Sequence, residues 1–293
     1  MLALIAGTGD LPPALVARLP ERPLVCALAG AQPAITPQIT FRIEHLGSFL
    51  ADLNARGVTE VCMAGAVRRP AIDPAAIDAA TRPLVPRLQS ALTQGDDGAL
   101  RTIIAILEDR GFVLRAAHEI APDLLPQAGV LTGGVVTIDR KQDAVTGEMT
   151  IAAMGRADVG QACIVRNGRV LAREGPDGTD AMIARLSPAD DPLWGAVDML
   201  GDVLGSASEW LSGAGGEPSD LRGAILFKAP KPDQDRRADL PVIGPQTALA
   251  ASRAGLAGIV IEADGVMVLD LSQVVATLNA AGAFLWVRPK GGA

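Results

Sequence analysis

Short apolar runs alternate with helix-patterned segments along the first part of the chain. Each apolar run ends in glycine or polar residues, and the segments between the runs carry apolar residues at helical spacing. Parallel strands need crossover connections and are covered by helices on both faces, so this order predicts a mononucleotide-type α/β domain. The predicted strands are 2–6, 23–28, 59–65 and 112–117, and the predicted helices are 11–18, 46–57 and 99–111.

A Pro- and Gly-rich stretch at 121–135 interrupts this pattern and predicts a domain boundary. The chain has 293 residues, enough for two domains of about 100–200 residues each. We therefore expect an N-terminal domain at 1–131 and a C-terminal α/β domain at 132–293. The second domain contains Asn167-Gly168 between two β-type runs, a pair that favours a type I′ hairpin turn.

The composition disfavours several kinds of partner and site. A formal net charge of −7 argues against nucleic acid, because binding to the phosphate backbone usually needs a basic surface. No stretch approaches the roughly 20 apolar residues of a membrane span, and the N-terminus lacks a signal-peptide pattern, so we expect a cytoplasmic protein. Cys26, Cys62 and Cys163 lie in apolar runs without a CxxC pattern, which indicates reduced core residues.

Two motifs occupy predicted junctions in the first domain. In "IAGTGDLP" (5–12), Gly7 and Gly9 follow a strand and precede a helix, where the backbone can approach a phosphate closely. In "QGDDGALR" (94–101), two aspartates precede a helix, where one of them can cap free backbone N–H groups. Both patterns also fit an ordinary structural turn.

The stretch "FKAPKPDQDRRADLP" (227–241) crowds opposite charges and three prolines into one loop between an apolar strand and a helix. Ligands of α/β proteins bind at such carboxyl ends of strands. Asp235 and Asp239 can hold a hard cation such as Mg²⁺, while Lys228, Lys231 and Arg236 can neutralise phosphate oxygens. The pattern favours a site for a diphosphate and Mg²⁺, although a solvated loop of surface ion pairs has a similar composition.

The remaining candidate chemistry uses carboxylates rather than histidines. The chain has two histidines, neither in a metal-ligand pattern, and it has no GxSxG nucleophile motif. The turns that flank the predicted hairpin, "ADVGQ" (157–161) and "GPDGTDAM" (175–182), present acidic and hydroxyl side chains instead. Turns favour Asp and Gly for local reasons, so it is their proximity through the hairpin that indicates a shared site.

Five motifs follow one another along essentially the whole chain: "GTGDLP", "GAVRRP" (65–70), "QGDDGALR", "ADVGQACIVRNGRVLAREGPDGTDAM" and "KAPKPDQDRRADLPVIGPQT". In this order they resemble the LpxI-type UDP-2,3-diacylglucosamine pyrophosphatases of lipid A synthesis. The resemblance implies a Rossmann-like N-terminal domain, a second α/β domain, a homodimer and dependence on Mg²⁺. It also implies hydrolysis of UDP-2,3-diacylglucosamine to UMP and 2,3-diacylglucosamine 1-phosphate (lipid X), with water attacking the β-phosphorus. The expected location is a Gram-negative cytoplasm, in transient contact with the inner membrane surface.

The resemblance assigns roles to individual residues of this sequence. Asp235 and Asp239 match the acidic loop of the family, so we expect them to be catalytic residues and metal ligands, with Asp180 as a third metal ligand. The expected substrate-binding residues are Gly7, Gly9, Leu11, Gln94, Gly95, Asp96, Thr179, Asp180, Lys231 and Gln234.

The acyl chains of such a substrate need an apolar groove, and the residues at 191–205 are a candidate, although a helix of this pattern also fits a core. Two other functions stay open on the residues alone. A nucleotide-dependent oxidoreductase fits the lone GxG of the first domain, and a non-enzymatic nucleotide or lipid sensor could use the same residues for binding without turnover.

Overall fold

The chain forms two compact units, seen in a computed structural model that describes residues 1–92, 95–186, 220–232 and 234–292. The first unit comprises Met1–Leu124 and Gln234–Leu240, and the second comprises Leu125–Asp233 and Pro241–Ala293. Both units pack helices with sheets that contain parallel strands, so the predicted α/β fold class is confirmed.

The described strands of the first unit form a parallel five-stranded sheet in the order β3-β2-β1-β4-β5. The strands are β1 (Leu2–Ala6), β2 (Leu24–Leu28), β3 (Ile39–Phe41), β4 (Glu60–Ala64) and β5 (Val113–Leu114). The helices are α1 (Leu11–Val16), α2 (Leu46–Ala55), α3 (Val85–Leu92), α4 (Asp96–Asp109) and α5 (Ala117–Ile120). The strand order reverses beside β1, which is where doubly wound proteins commonly bind ligands.

The core of the first unit lies between its sheet and the apolar faces of its helices. Leu50 and Leu53 of α2 are fully buried, as is Val61 of β4, and Ile106 and Leu107 of α4 are almost so. Burying one such side chain contributes about 1.5–3 kcal/mol. The helical spacing recognised at 99–111 therefore corresponds to the buried face of α4.

The second unit is built on a mixed sheet of described strands in the order β6-β13-β11-β9-β7-β8. Its strands are β6 (Gly129–Val130), β7 (Ala162–Arg166), β8 (Arg169–Arg173), β9 (Ile225–Lys228), β11 (Gly258–Glu262) and β13 (Phe284–Arg288), while β10 (Val242–Ile243) and β12 (Met267–Val268) pair separately. Its described helices are α6 (Ile138–Arg156), α7 (Thr179–Leu186), α8 (Pro245–Arg253) and α9 (Leu271–Ala280). Strands β9, β11 and β13 run parallel, so their carboxyl ends share one edge of the sheet.

The predicted hairpin is confirmed by the antiparallel pairing of β7 with β8. Asn167 has φ of 52° and Gly168 has φ of 73°, and a type I′ turn requires positive values at both positions. The buried carboxylate of Asp143 on α6 accepts a 2.7 Å hydrogen bond from the Gly168 backbone N–H. The hairpin turn is therefore tied to the helix that packs beside it.

The three cysteines are buried and free, which confirms that they are reduced core residues. Burial raises the pKa of the Cys26, Cys62 and Cys163 thiols to about 12. None of the three is a reactive thiolate at neutral pH. As to membranes, none of the described helices combines the length and apolar content of a membrane span.

Candidate functional site

Two loops meet at the carboxyl edge of the first sheet, one after β1 and one after β4. The Gly7 N–H donates to the Ala64 carbonyl at 2.8 Å, and Thr8 and Ala66 exchange backbone hydrogen bonds of 2.8 and 3.0 Å. A Cβ atom on Gly7 would lie 2.4 Å from the Ala66 oxygen and 2.7 Å from the Gly65 carbonyl carbon. The missing side chain of Gly7 therefore makes room for the neighbouring backbone.

Gly9 differs from Gly7 in its surroundings. Its φ is +93°, a conformation that favours glycine, and no described atom lies within 4 Å of the position a Cβ would take. Leu11, the first residue of α1, is buried. Of the three residues expected from the first motif, Gly9 is the one whose surroundings have room for a ligand.

The acidic segment, which we define as residues 234–240, belongs to the first unit and lies on α4. Ala238 packs against the apolar core of that unit. The Arg237 guanidinium donates to Glu108 of α4 at 2.6 Å and to both oxygens of Asp235, at 3.0 and 2.8 Å. The fold thus brings "QDRRADL" onto α4, the helix that begins within "QGDDGALR".

Charges from α4 act on the acidic segment. The pKa of Asp235 lies below its ordinary value, chiefly because Arg237 donates side-chain hydrogen bonds to the carboxylate, and the charge of Arg101 adds to this effect. Arg101 also forms a 2.8 Å ion pair with Asp97. In the same motif, Gly95 is the N-cap residue of α4 and Asp96 is its first residue. Gln94 and the side chain of Asp96 lie outside the described residues.

Asp239 is held differently from Asp235. The Gln234 side-chain amide donates to Asp239 Oδ2, and the Asp239 N–H donates to the Asp235 carbonyl at 3.2 Å. Gln234 is thus one partner of the Asp239 carboxylate, whereas both oxygens of Asp235 are bonded to the guanidinium of Arg237. A divalent cation displaces a charged, bidentate guanidinium only at high cost, because the bonds of the guanidinium are charge-assisted.

The bonds from Arg237 therefore disfavour Asp235 as a ligand for a hard cation. Within the described ranges, no three His, Cys, Asp or Glu side chains are grouped as metal ligands. Mg²⁺ in phosphate-processing sites is typically bound through one or two carboxylates together with phosphate oxygens of the substrate. One suitably placed carboxylate is thus compatible with a cation that arrives with the substrate.

Three polar side chains of the second unit form a buried group that we call the buried lysine cluster: Glu174, Thr179 and Lys228. Lys228 Nζ donates to Thr179 Oγ1 at 2.6 Å and lies 3.6 Å from Glu174 Oε1, and the Thr179 hydroxyl also bonds Glu174. Glu174 Oε2 accepts from the Gln161 backbone N–H at 2.5 Å. All three residues of the cluster are more than 90% buried.

Sequence reasoning assigned Thr179 to the substrate but did not single out Glu174. Glu174 directly precedes the motif "GPDGTDAM", and an acidic residue at the end of an apolar hairpin strand was the available signal. Its partner Lys228 lies 49 residues after Thr179, so their contact depends on the tertiary fold. Asp180, next to Thr179, is exposed and accepts a 3.0 Å hydrogen bond from Thr247 of α8.

The start of the charged loop is packed rather than solvated. Lys231 donates to Asp158 at 2.5 Å, and the side chain of Lys231 is only 11% exposed. The adjacent prolines fit against glycines: a Cβ on Gly155 would lie 2.7 Å from Pro232, and one on Gly265 would lie 2.8 Å from Pro230. The prolines therefore fix the course of the chain on both sides of Lys231.

Comparison with known proteins gives matches along both halves of the chain. Residues 1–124 match the LpxI N-terminal domain model, and residues 127–286 match the LpxI C-terminal domain model. A curated relative, the UDP-2,3-diacylglucosamine pyrophosphatase LpxI of Caulobacter vibrioides, is 33% identical over 298 residues. The match covers 97% of this chain and 96% of the relative.

Proposed function

The chain belongs to the LpxI family, and we propose that it hydrolyses the diphosphate of UDP-2,3-diacylglucosamine with the help of Mg²⁺. Membership of this family makes it a pyrophosphatase. The products we propose are UMP and 2,3-diacylglucosamine 1-phosphate. The match of both halves to the same family carries the proposal, and the acidic segment supplies chemistry that suits it. The homodimer and the contact with the inner membrane surface stay predictions.

Hydrolysis of a phosphoanhydride spreads negative charge over the phosphoryl oxygens, so positioning and electrostatic stabilisation dominate its catalysis. In the reaction we propose, the oxygen of water bonds to the β-phosphorus and the bond from that phosphorus to the bridging oxygen breaks. UMP leaves with the bridging oxygen. The proton of the water passes to a carboxylate, a role for which the acidic segment offers Asp235 and Asp239.

Of these two carboxylates, we assign the larger role in catalysis to Asp239. Both oxygens of Asp235 accept hydrogen bonds from Arg237, which ties that carboxylate to a guanidinium. Asp239 would therefore hold the Mg²⁺, with Asp180 kept as a further proposed ligand. When bound, the metal would offset phosphate charge and lower the pKa of the attacking water.

The first test uses the purified full chain with UDP-2,3-diacylglucosamine, either with Mg²⁺ or with EDTA, and follows both products by mass spectrometry. We expect UMP and the 1-phosphate in the presence of Mg²⁺ and neither product with EDTA. Equal turnover under both conditions would contradict the metal dependence. No turnover by folded protein in Mg²⁺ would contradict the proposed reaction.

The position of attack is tested by running the same reaction in ¹⁸O-labelled water. Attack at the β-phosphorus places the label in 2,3-diacylglucosamine 1-phosphate, because that phosphorus gains the oxygen of water. Label found in UMP would show attack at the α-phosphorus instead.

A further inference from the structure

The buried lysine cluster lies at the carboxyl end of a central strand in the second sheet. Lys228 is the last residue of β9, which pairs with β11 on one side and with β7 on the other. Thr179 begins α7, and Glu174 directly follows β8. Open α/β sheets bind their ligands at the carboxyl ends of strands, so this cluster occupies a position suited to binding.

The charges of Glu174 and Lys228 decide which group donates and which accepts in each hydrogen bond of the buried lysine cluster. Burial acts to raise the pKa of Glu174, but the charge of Lys228 and the hydrogen bonds from Thr179 and Gln161 outweigh it and hold the pKa below its ordinary value. The ionised carboxylate can only accept hydrogen bonds, so the single hydroxyl proton of Thr179 points to Glu174. A lone pair of the Thr179 oxygen then accepts from Lys228.

This pattern of donors and acceptors gives Thr179 and Lys228 different roles. The hydroxyl proton of Thr179 is used within the cluster, so it is not the group that donates to a phosphate. The ammonium of Lys228 carries three N–H donors, and among the described residues Thr179 alone accepts one of them within hydrogen-bonding distance. Glu174 Oε1 lies 3.6 Å from Lys228 Nζ and acts on the ammonium mainly through its charge.

A buried ammonium needs acceptors for its N–H groups, because burying a charge without hydrogen bonds is costly. A buried ion pair is also weak evidence for stabilisation, since an apolar replacement is often as stable or more so. The arrangement of the cluster is therefore better explained by a task in binding. A phosphate oxygen is a suitable acceptor, because it offers negative charge and lone pairs to the N–H donors that the described residues do not engage.

We propose that Glu174 and Thr179 are positioning residues that hold the Lys228 ammonium for a phosphate oxygen of the substrate. The inference rests on the proposed hydrolysis of a nucleoside diphosphate sugar and names the residues that fix its phosphate-binding lysine. Lys228 touches the substrate, and the other two act through Lys228.

The main test compares Thr179→Val with Thr179→Ser, which keeps the hydroxyl. Thr150→Val is the matched control, because Thr150 is also buried in the second unit and, among the described residues, its hydroxyl bonds only the Thr146 carbonyl, at 2.7 Å. We expect Thr179→Val to lower kcat/KM by about 10- to 100-fold through a higher KM, the range for a lost charge-assisted hydrogen bond. Thr179→Ser should stay within about 3-fold of the wild type, and Thr150→Val should have no effect.

The KM separates positioning from a structural role, because a partly unfolded sample lowers the apparent kcat and leaves KM unchanged. Glu174→Gln should raise KM as Thr179→Val does, while Glu148→Gln, which alters an ion pair elsewhere in the unit, should not. An equal KM for Thr179→Val and Thr150→Val would overturn the inference.

A double mutant tests whether Thr179 acts through Lys228. Lys228→Met should lower kcat/KM, and adding Thr179→Val to it should bring no further loss, because the group being positioned is already gone. Independent losses that multiply would show that Thr179 acts on something else and would overturn the inference.

Calorimetric binding of inorganic diphosphate, with and without Mg²⁺, separates this inference from the proposed function. Binding by the wild type that Thr179→Val weakens would uphold the lysine site even if UDP-2,3-diacylglucosamine were not hydrolysed. Hydrolysis by the wild type with an unchanged KM for Thr179→Val would uphold the function and overturn the inference. A wild type that neither binds diphosphate nor turns over the substrate would overturn both.

Discussion

The two halves of the charged loop at 227–241 hold their charges in different ways. In the second unit, Lys228 and Lys231 are paired with Glu174 and Asp158, and both lysine side chains are about nine-tenths buried. In the first unit, Arg237 pairs with Asp235 and Glu108, and its side chain is 43% exposed. A single run of mixed charges thus divides into buried cations and a more exposed acidic segment.

This difference indicates a division of tasks. Side chains that are buried and hydrogen-bonded lose little freedom when a ligand binds, so the lysines suit the fixed placement of a phosphate. The acidic segment supplies carboxylates, whose oxygens suit cation binding and proton transfer. The following predictions test this division through activity and stability.

The largest effect is expected at Asp239. Asp239→Ala should lower kcat by about 10²–10⁴, the range for losing a positioned acid–base group, which corresponds to about 2.7–5.4 kcal/mol of activation free energy. Loss of the hydrogen bond from Gln234 should lower its free energy of unfolding by about 1 kcal/mol. Steady-state kinetics and urea denaturation measure the two quantities.

Asp123→Ala is the matched control for this variant, because Asp123 is an exposed aspartate of the same unit with an arginine partner, Arg18. It should leave kcat unchanged. Normal turnover and normal dependence on Mg²⁺ in Asp239→Ala would contradict the assignment of Asp239, and with it the proposed role of the acidic segment in catalysis.

The next effect is expected at the buried lysine cluster. Lys228→Met should lower the free energy of unfolding by about 3–5 kcal/mol, because removing one partner leaves a buried carboxylate without its counter-charge. The double variant Lys228→Met/Glu174→Leu should recover much of this loss, because neither charge then remains buried. Urea denaturation of both variants measures the difference, and a double variant no more stable than Lys228→Met would contradict the account.

Local signals explain what the sequence predicted well in the fold. The type I′ turn depends on the positive φ of Asn167 and Gly168, a property of the two residues themselves. The apolar runs of β1, β2 and β4 were recognised because strands buried on both faces read as continuous apolar stretches. Strands of two or three residues, such as β3 and β6, were not predicted, because so few residues carry no periodicity.

The candidate site was predictable only in part, because its contacts connect distant segments. The loop at 227–241 stood out by composition, but nothing in it shows that Lys228 meets Glu174 or that Arg237 meets Glu108. Gly7 shows the same limit in another way. A glycine after a strand allows close approach either of a ligand or of a neighbouring backbone segment. In the sequence these two cases look alike, and only the fold shows that the Ala66 carbonyl lies beside Gly7.

The dependence of stability on pH should also distinguish the two halves. The pKa of Glu174 is lowered in the folded state. The ionised carboxylate therefore contributes fully to the free energy of unfolding above its unfolded-state pKa of about 4.3, and this contribution is lost as the pH falls through its folded-state pKa. Glu174→Gln should therefore reduce the loss of stability on acidification. Asp235→Asn should act in the same direction, because Arg237 lowers the pKa of Asp235, but by less, since this pair is nearer to water.

Urea denaturation in steps from about pH 6 downward, at low and at raised salt, measures both pH effects. Salt should diminish the contribution of Asp235 to the free energy of unfolding and leave the contribution of Glu174 largely intact, because buried ion pairs are screened much less by salt. Equal sensitivity of the two contributions to salt would contradict the difference in burial between the Glu174–Lys228 and Asp235–Arg237 pairs.

The smallest effect is expected for Glu108→Gln, which breaks the ion pair between α4 and Arg237. Both side chains are more than 40% exposed, and such pairs contribute about 0–1 kcal/mol. The acidic segment should stay in place, because Ala238 packs on the core of the first unit and Leu240 is buried. Ala238→Asp should destabilise more than Glu108→Gln in urea denaturation, because it brings an unpaired charge against that core. The reverse order would show that the ion pair, rather than apolar packing, holds the acidic segment on α4.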